Sequence, residues 1–320
     1  MKRLYSIGNR KVAIVGAGAV GSSIAYALAL RDIAREIVLI DVNIEKINGE
    51  ALDIRHGIPS MGTTNLYAGN YSDCKDCDLI IITAGRGRKP GESRLDMTRE
   101  NLIIMKSVVS SIKAHYTRGI IMIVSNPVDI MTYKVTEWMN LPNGMVFGTG
   151  CILDTSRFVR LLADYIELST GVINGYIIGE HGDGQIPVWS KVTIDGIPLD
   201  DFCKAANIEL NDAIKQNIAA KVKTMGADII AAKGKTHYGI ATCVCYLADA
   251  IINQKPMIAS VSSPLMGEHG CSDVALSVPS IVGPSGVQQR IREKWSSNEC
   301  RVFYDSVEKL RGILREYENI

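Results

Sequence analysis

The sequence predicts an α/β protein: a doubly wound parallel sheet over residues 1–150, followed by an α+β half over residues 151–320. Three observations carry this expectation. Short, unbroken apolar runs alternate with helical patterns, a glycine-rich turn joins the first run to the first helix, and the texture changes after about Gly150. Residues 11–15, Lys-Val-Ala-Ile-Val, read as a buried strand that runs into Gly16-Ala17-Gly18-Ala19-Val20-Gly21 and an alanine-rich helix ending near Leu30. A second strand over 36–40 ends at Asp41, and a helix follows to about His56. Residues 79–83 and 120–124 are further strands, with a helical pattern over 94–115 between them. Strands that are apolar throughout, rather than at alternate positions, belong in a parallel sheet covered on both faces. Right-handed crossovers then make that sheet doubly wound. The second half predicts strands near 172–179 and 187–194, and helices near 207–232, 239–253 and 299–317. No repeat, low-complexity stretch or Pro/Ser linker separates the halves, so a broad shared interface is expected.

Charge and cysteine usage remove several functional classes. The 35 Lys+Arg against 34 Asp+Glu give a net charge of +1 without a basic run, which argues against nucleic-acid binding and polybasic membrane attachment. No apolar stretch approaches the ~20 residues of a bilayer span. The start has basic residues but no apolar core of a signal peptide behind them, so none is expected there. Eight dispersed cysteines lack a disulfide-scaffold spacing and fit a reducing cytoplasm. Cys74 and Cys77 form a lone C-x-x-C without partners at zinc-finger spacing, and no metal is expected.

Gly16, Gly18 and Gly21 form G-x-G-x-x-G between a strand and a helix, and the next strand ends in an acid. That context makes it a dinucleotide fingerprint of the Rossmann type. Gly16 permits the tight turn, Gly18 admits a pyrophosphate to the backbone, and Gly21 allows helix and sheet to pack closely. The helix N-terminus adds positive potential. Asp41 suits ribose hydroxyls and repels a 2′-phosphate, so NAD is expected rather than NADP.

Four later segments place polar groups among apolar ones: Arg88-Lys89-Pro90-Gly91-Glu92-Ser93-Arg94, Val124-Ser125-Asn126-Pro127-Val128-Asp129, Leu153-Asp154-Thr155-Ser156-Arg157 and Ile178-Gly179-Glu180-His181-Gly182-Asp183. With the fingerprint, they make the chain resemble the L-lactate/malate dehydrogenase family over nearly its whole length. The resemblance implies an enzyme that moves hydride between NAD and a small 2-keto/2-hydroxy acid. His181 would be the acid/base, a task suited to a side chain that titrates near neutrality. Asp154 would orient its ring. Arg157 would grip the substrate carboxylate with its planar fork, although by spacing alone Asp154 and Arg157 read more readily as a surface ion pair. Arg94 would arrive on a closing loop to stabilise charge at the carbonyl oxygen; without the resemblance its segment reads as a solvated basic loop. Asn126 and Thr236 would line the substrate pocket, Asn126 also facing the nicotinamide. Val20, Lys46, Tyr71, Thr83, Gly85, Ser107, Val124 and Thr149 match positions of the cofactor groove. His56, His115, His237 and His269 read as structural. The resemblance also implies a homotetramer.

Within the family, substrate choice turns on the residue six before the loop arginine. Malate enzymes carry arginine there to pair the second carboxylate, and this chain has Arg88. Burying an unpaired arginine against pyruvate's methyl group is costly, so Arg88 alone predicts oxaloacetate. Glu180, Glu92, Pro187-Val188-Trp189-Ser190 and the Lys-Gly-x-Thr ending at Thr236 instead resemble the lactate members. Across the chain lactate is the expected substrate, with malate, or a non-catalytic NAD-binding protein, as alternatives. Family members activated by fructose 1,6-bisphosphate carry an arginine and a histidine where this chain has Val159 and Asn174, so no such activation is expected; Arg160 is the nearest substitute cation.

Overall fold

A computed structural model describes residues 9–87, 94–318 and 320, apart from the side chains of Arg94 and Leu95. Arg88 and its neighbours to Ser93 lie outside the described residues. The first half runs β1 (Lys11–Val15), α1 (Ala19–Leu30), β2 (Glu36–Ile40), α2 (Ile44–Gly57), β3 (Asn65–Ala68), β4 (Leu79–Ile82), α3 (Arg94–Lys113), β5 (Ile120–Ile123), α4 (Val128–Met139) and β6 (Val146–Gly148). The second half runs α5 (Ile152–Ile166), β7 (Ile173–Asn174), β8 (Ile177–Gly179), β9 (Gln185–Pro187), β10 (Thr193–Ile194), β11 (Ile197–Pro198), α6 (Leu199–Ala205), α7 (Asp212–Lys233), α8 (Tyr238–Ile252), β12 (Met257–Met266), β13 (Ser272–Gly283), β14 (Gly286–Arg290) and α9 (Ser297–Glu316).

The first six strands lie in the order β3-β2-β1-β4-β5-β6, with every pairing parallel. The order reverses between β1 and β4, which opens a crevice at their carboxyl ends, where such sheets bind ligands. The expected doubly wound sheet is therefore present. All four residues of β4 and of β5 are buried, as strands with helices on both faces require.

The sheet does not stop at the end of the first half. β12 pairs antiparallel with β6 through Ser262 and Gly148, β13 follows β12, and β8 and β9 complete the path. The halves also share core: Ile24 and Leu28 of α1 are buried in one cluster with Val244, Leu247 and Ile251 of α8. Each such side chain contributes about 1.5–3 kcal/mol by leaving water. The expected interface is thus a continuous sheet plus a helix–helix contact.

Three local expectations differ. The segment 172–179 breaks into β7 and β8, that near 187–194 yields β9 and β10 with a 3₁₀ turn over Trp189–Lys191 between them, and the helix expected from 207 begins at Asp212, where Asn211 Oδ1 accepts the Ile214 N–H at 3.0 Å. The long strands β12, β13 and β14 were not foreseen. Ser260, Ser262, Ser263, Ser277 and Ser280 interrupt the apolar pattern of β12 and β13, yet all five are buried.

Candidate active site

The fingerprint glycines occupy the β1–α1 turn. Gly16 has φ +101°, and a Cβ there would lie 2.6 Å from the Ala84 nitrogen. A Cβ on Gly21 would lie 1.9 Å from the Gly16 carbonyl oxygen, whereas one on Gly18 would meet nothing within 4 Å. Gly18 caps α1 without a side-chain partner for the helix's first N–H groups. The turn therefore presents open space at a helix N-terminus, which suits a pyrophosphate. Asp41 immediately follows β2; its Oδ2 accepts the Ala17 N–H at 2.8 Å and its Oδ1 the Asn43 N–H at 3.0 Å. These bonds hold the carboxylate at the rim beside the turn, with acceptor capacity left for ribose hydroxyls.

A groove of about 460 Å³ runs along this crevice. It is lined by Gly16, Gly18, Asp41, Lys46, Tyr71, Thr83 and Gly85 of the expected set, together with Ile104 and Val108 of α3. The last two were missed, although their i,i+4 spacing on an amphipathic helix is the signal that marks a shared face. Thr83 donates through Oγ1 to the Gly16 carbonyl at 2.6 Å and so pins the turn to β4. Val20, half-buried on α1, and the exposed Ser107 of α3 do not line the groove. Val124 and the buried Thr149 follow β5 and β6, side by side at the carboxyl edge: the Thr149 N–H donates to the Ile123 carbonyl at 2.9 Å.

The second constellation forms where α4, α5 and β8 meet. His181 Nδ1 lies 2.6 Å from Asp154 Oδ2, and Arg157 Nη1 donates to Asp154 Oδ1 at 3.2 Å. Asp154 is in the first turn of α5, with its side chain 2% exposed, and Arg157 is one turn further at 13%. The pair is therefore an interior one, which settles the ambiguity in its spacing. Gly179, with φ +92°, ends β8; a Cβ there would lie 2.5 Å from the Gly184 carbonyl oxygen, so the loop carrying His181 folds back tightly. Burial pulls the His181 imidazole down, but the charge and hydrogen bond of Asp154, aided by Asp129, outweigh burial and Arg157 and hold it above its ordinary value. Its Nε2 remains as the nitrogen available for proton exchange.

Asn126 is exposed on the β5–α4 connector, and its carbonyl accepts from Asn101 Nδ2 at 3.0 Å. The buried Asn101 also clamps Arg86, donating to its carbonyl at 3.0 Å and accepting its N–H at 2.9 Å. Asn101 was missed; inside a long helix it carries no motif. Thr236 is half-buried in the link between α7 and α8, and α7 brings Gly226 against Arg157, where a Cβ would lie 3.5 Å from the guanidinium. Arg94 is the first residue of α3, but its side chain, like the whole of Arg88, is outside the described residues. Val159 is half-buried, Asn174 is exposed, and Arg160 pairs with Asp164 at 2.7 Å. Cys74 and Cys77 are buried thiols pushed up to about 12 mainly by desolvation, which keeps them unreactive. His237 contacts Ser23 Oγ at 2.8 Å and His269 stacks on Trp295, so each holds elements together.

A dinucleotide groove, together with a histidine whose one ring nitrogen is held by a buried carboxylate, fits an NAD-dependent dehydrogenase. The chain belongs to the lactate/malate dehydrogenase family: residues 10–148 match the NAD-binding domain of lactate/malate dehydrogenase, and residues 151–320 match its alpha/beta C-terminal domain. It is 42% identical over 308 residues to the L-lactate dehydrogenase of Thermoanaerobacter pseudethanolicus, covering 96% of this chain and 99% of that one. It is 42% identical over 311 residues to that of Priestia megaterium, covering 97% and 98%. The minor L-lactate dehydrogenase of Enterococcus mundtii, solved with ligands bound, superposes with a TM-score of 0.93 at 39% identity, covering 96% of this chain and 98% of the other.

Proposed function

We propose that this protein is an NAD-dependent L-lactate dehydrogenase that interconverts pyruvate and L-lactate, with His181 as its acid/base. The observation that carries the reading is the carboxylate of Asp154 shared between His181 and Arg157. The turn at Gly16–Gly21 and the carboxylate of Asp41 would hold NADH, which when bound would supply the hydride for the carbonyl carbon, or as NAD accept it in reverse. Protonated His181 gives its Nε2 proton to the carbonyl oxygen, and Asp154 balances the imidazolium charge before that transfer. Arg157 holds the substrate carboxylate, so that the carbonyl faces His181. Arg94 meets the developing oxyanion, Asn126 orients substrate and nicotinamide, and Thr236 closes the pocket. Malate and non-catalytic readings are weaker, since full-length relatives at about 40% identity are named L-lactate dehydrogenase.

The protein is further proposed to be a cytoplasmic homotetramer. Among the described residues no helix is long and apolar enough to cross a membrane. Tyr26 and Leu30 on α1, Leu52 on α2 and Tyr246 on α8 are large apolar side chains that remain exposed on one chain, the kind of surface that a second copy covers.

His181→Asn tests the reading. Turnover of pyruvate with NADH is expected to fall by at least about a hundredfold, while NADH still binds, followed by its fluorescence. A variant that keeps full turnover would remove His181 from the mechanism.

A further inference from the structure

Asp129 has no part in the proton transfer just described, yet it touches the residue that performs it. It lies in the first turn of α4, 3% exposed, and its Oδ2 accepts the backbone N–H of His181 at 2.7 Å. α4 belongs to the dinucleotide half, whereas His181 follows β8 in the other half. The connector leading into α4 also carries Asn126, three residues upstream. One carboxylate therefore spans from the segment expected to orient the nicotinamide to the backbone of the acid/base. We propose that Asp129 is a positioning residue that keeps these two parts of the site in register and lends its negative charge to the protonated His181.

This inference rests on the dehydrogenase reading. Hydride must reach the carbon and a proton the oxygen of one carbonyl, so their sources must hold a fixed separation, and small misplacements in such arrangements cost much rate. A peptide N–H bonded to a buried carboxylate is a strong tether, because charge-assisted bonds are roughly twice as strong as neutral ones. The position at a helix N-terminus favours the ionised form. Burial nevertheless pushes the Asp129 carboxyl up to about 6, against the lowering influence of Ser262 and His181, while Glu180 adds to the rise. The titratable and charged groups facing this pair are Asp154 and Arg157 of α5, Cys151 at its start, and Glu180, whose carboxylate lies 3.8 Å from Lys309 of α9. Among them, Asp154 and Asp129 raise the His181 imidazole and Arg157 lowers it.

Two substitutions separate the tether from the charge. Asp129→Asn keeps the size and an acceptor oxygen for the His181 N–H but removes the charge. Loss of a nearby anion disfavours imidazolium, so the alkaline limb of kcat/KM for pyruvate is expected to move down by about one pH unit. NADH affinity should stay unchanged. Asp129→Ala removes the tether as well, and is expected to lower kcat by more than about tenfold without altering NADH affinity. A wild-type pH profile in Asp129→Asn, or wild-type kcat in Asp129→Ala, would overturn the proposal. So would loss of NADH binding in Asp129→Asn, because the carboxylate would then serve the fold. Should Asp129→Ala not fold, Asp129→Asn carries the test alone. A wild-type protein that does not reduce pyruvate would refute the functional reading instead.

Discussion

Asp154→Asn is the substitution for which the structure supplies a magnitude. Asp154 meets His181 at 2.6 Å and is buried, so the imidazolium formed for pyruvate reduction sits against an ion that water barely screens. With charge centres ~4 Å apart and an effective dielectric of ~20, their attraction is about 4 kcal/mol. At ~1.4 kcal/mol per decade, that corresponds to nearly three decades in the population of protonated His181. The asparagine oxygen can still accept the Nδ1 hydrogen and keep the ring oriented, so kcat/KM for pyruvate should fall by about 10²–10³ rather than further. What remains after the change is burial, the largest influence, and Arg157, which lower the imidazole, opposed by Asp129 alone. The alkaline limb, which in the wild type lies above the ordinary 6.5, should therefore drop below it. Stability follows the same sign. Because the folded-state value is raised, the contribution of His181 is full below 6.5 and is lost as pH rises through the folded value. The variant should lack that loss of Tm. The assay is NADH oxidation from pH 5 to 9 with pyruvate, alongside NADH affinity and Tm at each pH. Less than about a threefold change in kcat/KM with an unmoved alkaline limb would refute the electrostatic argument.

The fingerprint glycines should separate by substitution. Gly21→Ala forces a Cβ against the Gly16 carbonyl and should cost about 1–3 kcal/mol in denaturant unfolding. Gly18→Ala meets open space and should leave Tm unchanged while weakening NADH binding by at least about tenfold; equal effects on Tm would show that both glycines are structural. Arg88→Gln should lower kcat/KM for oxaloacetate relative to pyruvate, since it removes the cation that a second carboxylate would meet; an unchanged ratio would show that Arg88 does not contact substrate.

The sequence alone determined the doubly wound sheet, because buried parallel strands must be apolar throughout and the turn between β1 and α1 must be glycine-rich. It also marked His181, Asp154 and Arg157, through the resemblance of their motifs to the lactate/malate dehydrogenase family. Spacing could not decide whether Asp154 and Arg157 make a surface pair; the tertiary structure puts both inside, against His181. The strands β12 and β13 were hidden because buried serines interrupt their apolar pattern, and two of these hydroxyls bond to neighbouring elements: Ser277 accepts the Cys151 N–H, and Ser260 donates to the Ile177 carbonyl. Asn101 and Asp129 were illegible as positioning groups for a related reason. Each bonds to backbone remote in sequence, Asn101 to Asn126 and Asp129 to His181. Periodicity and motif spacing register neighbours along the chain, whereas a buried polar side chain is specified by whichever backbone group the fold brings within hydrogen-bond reach.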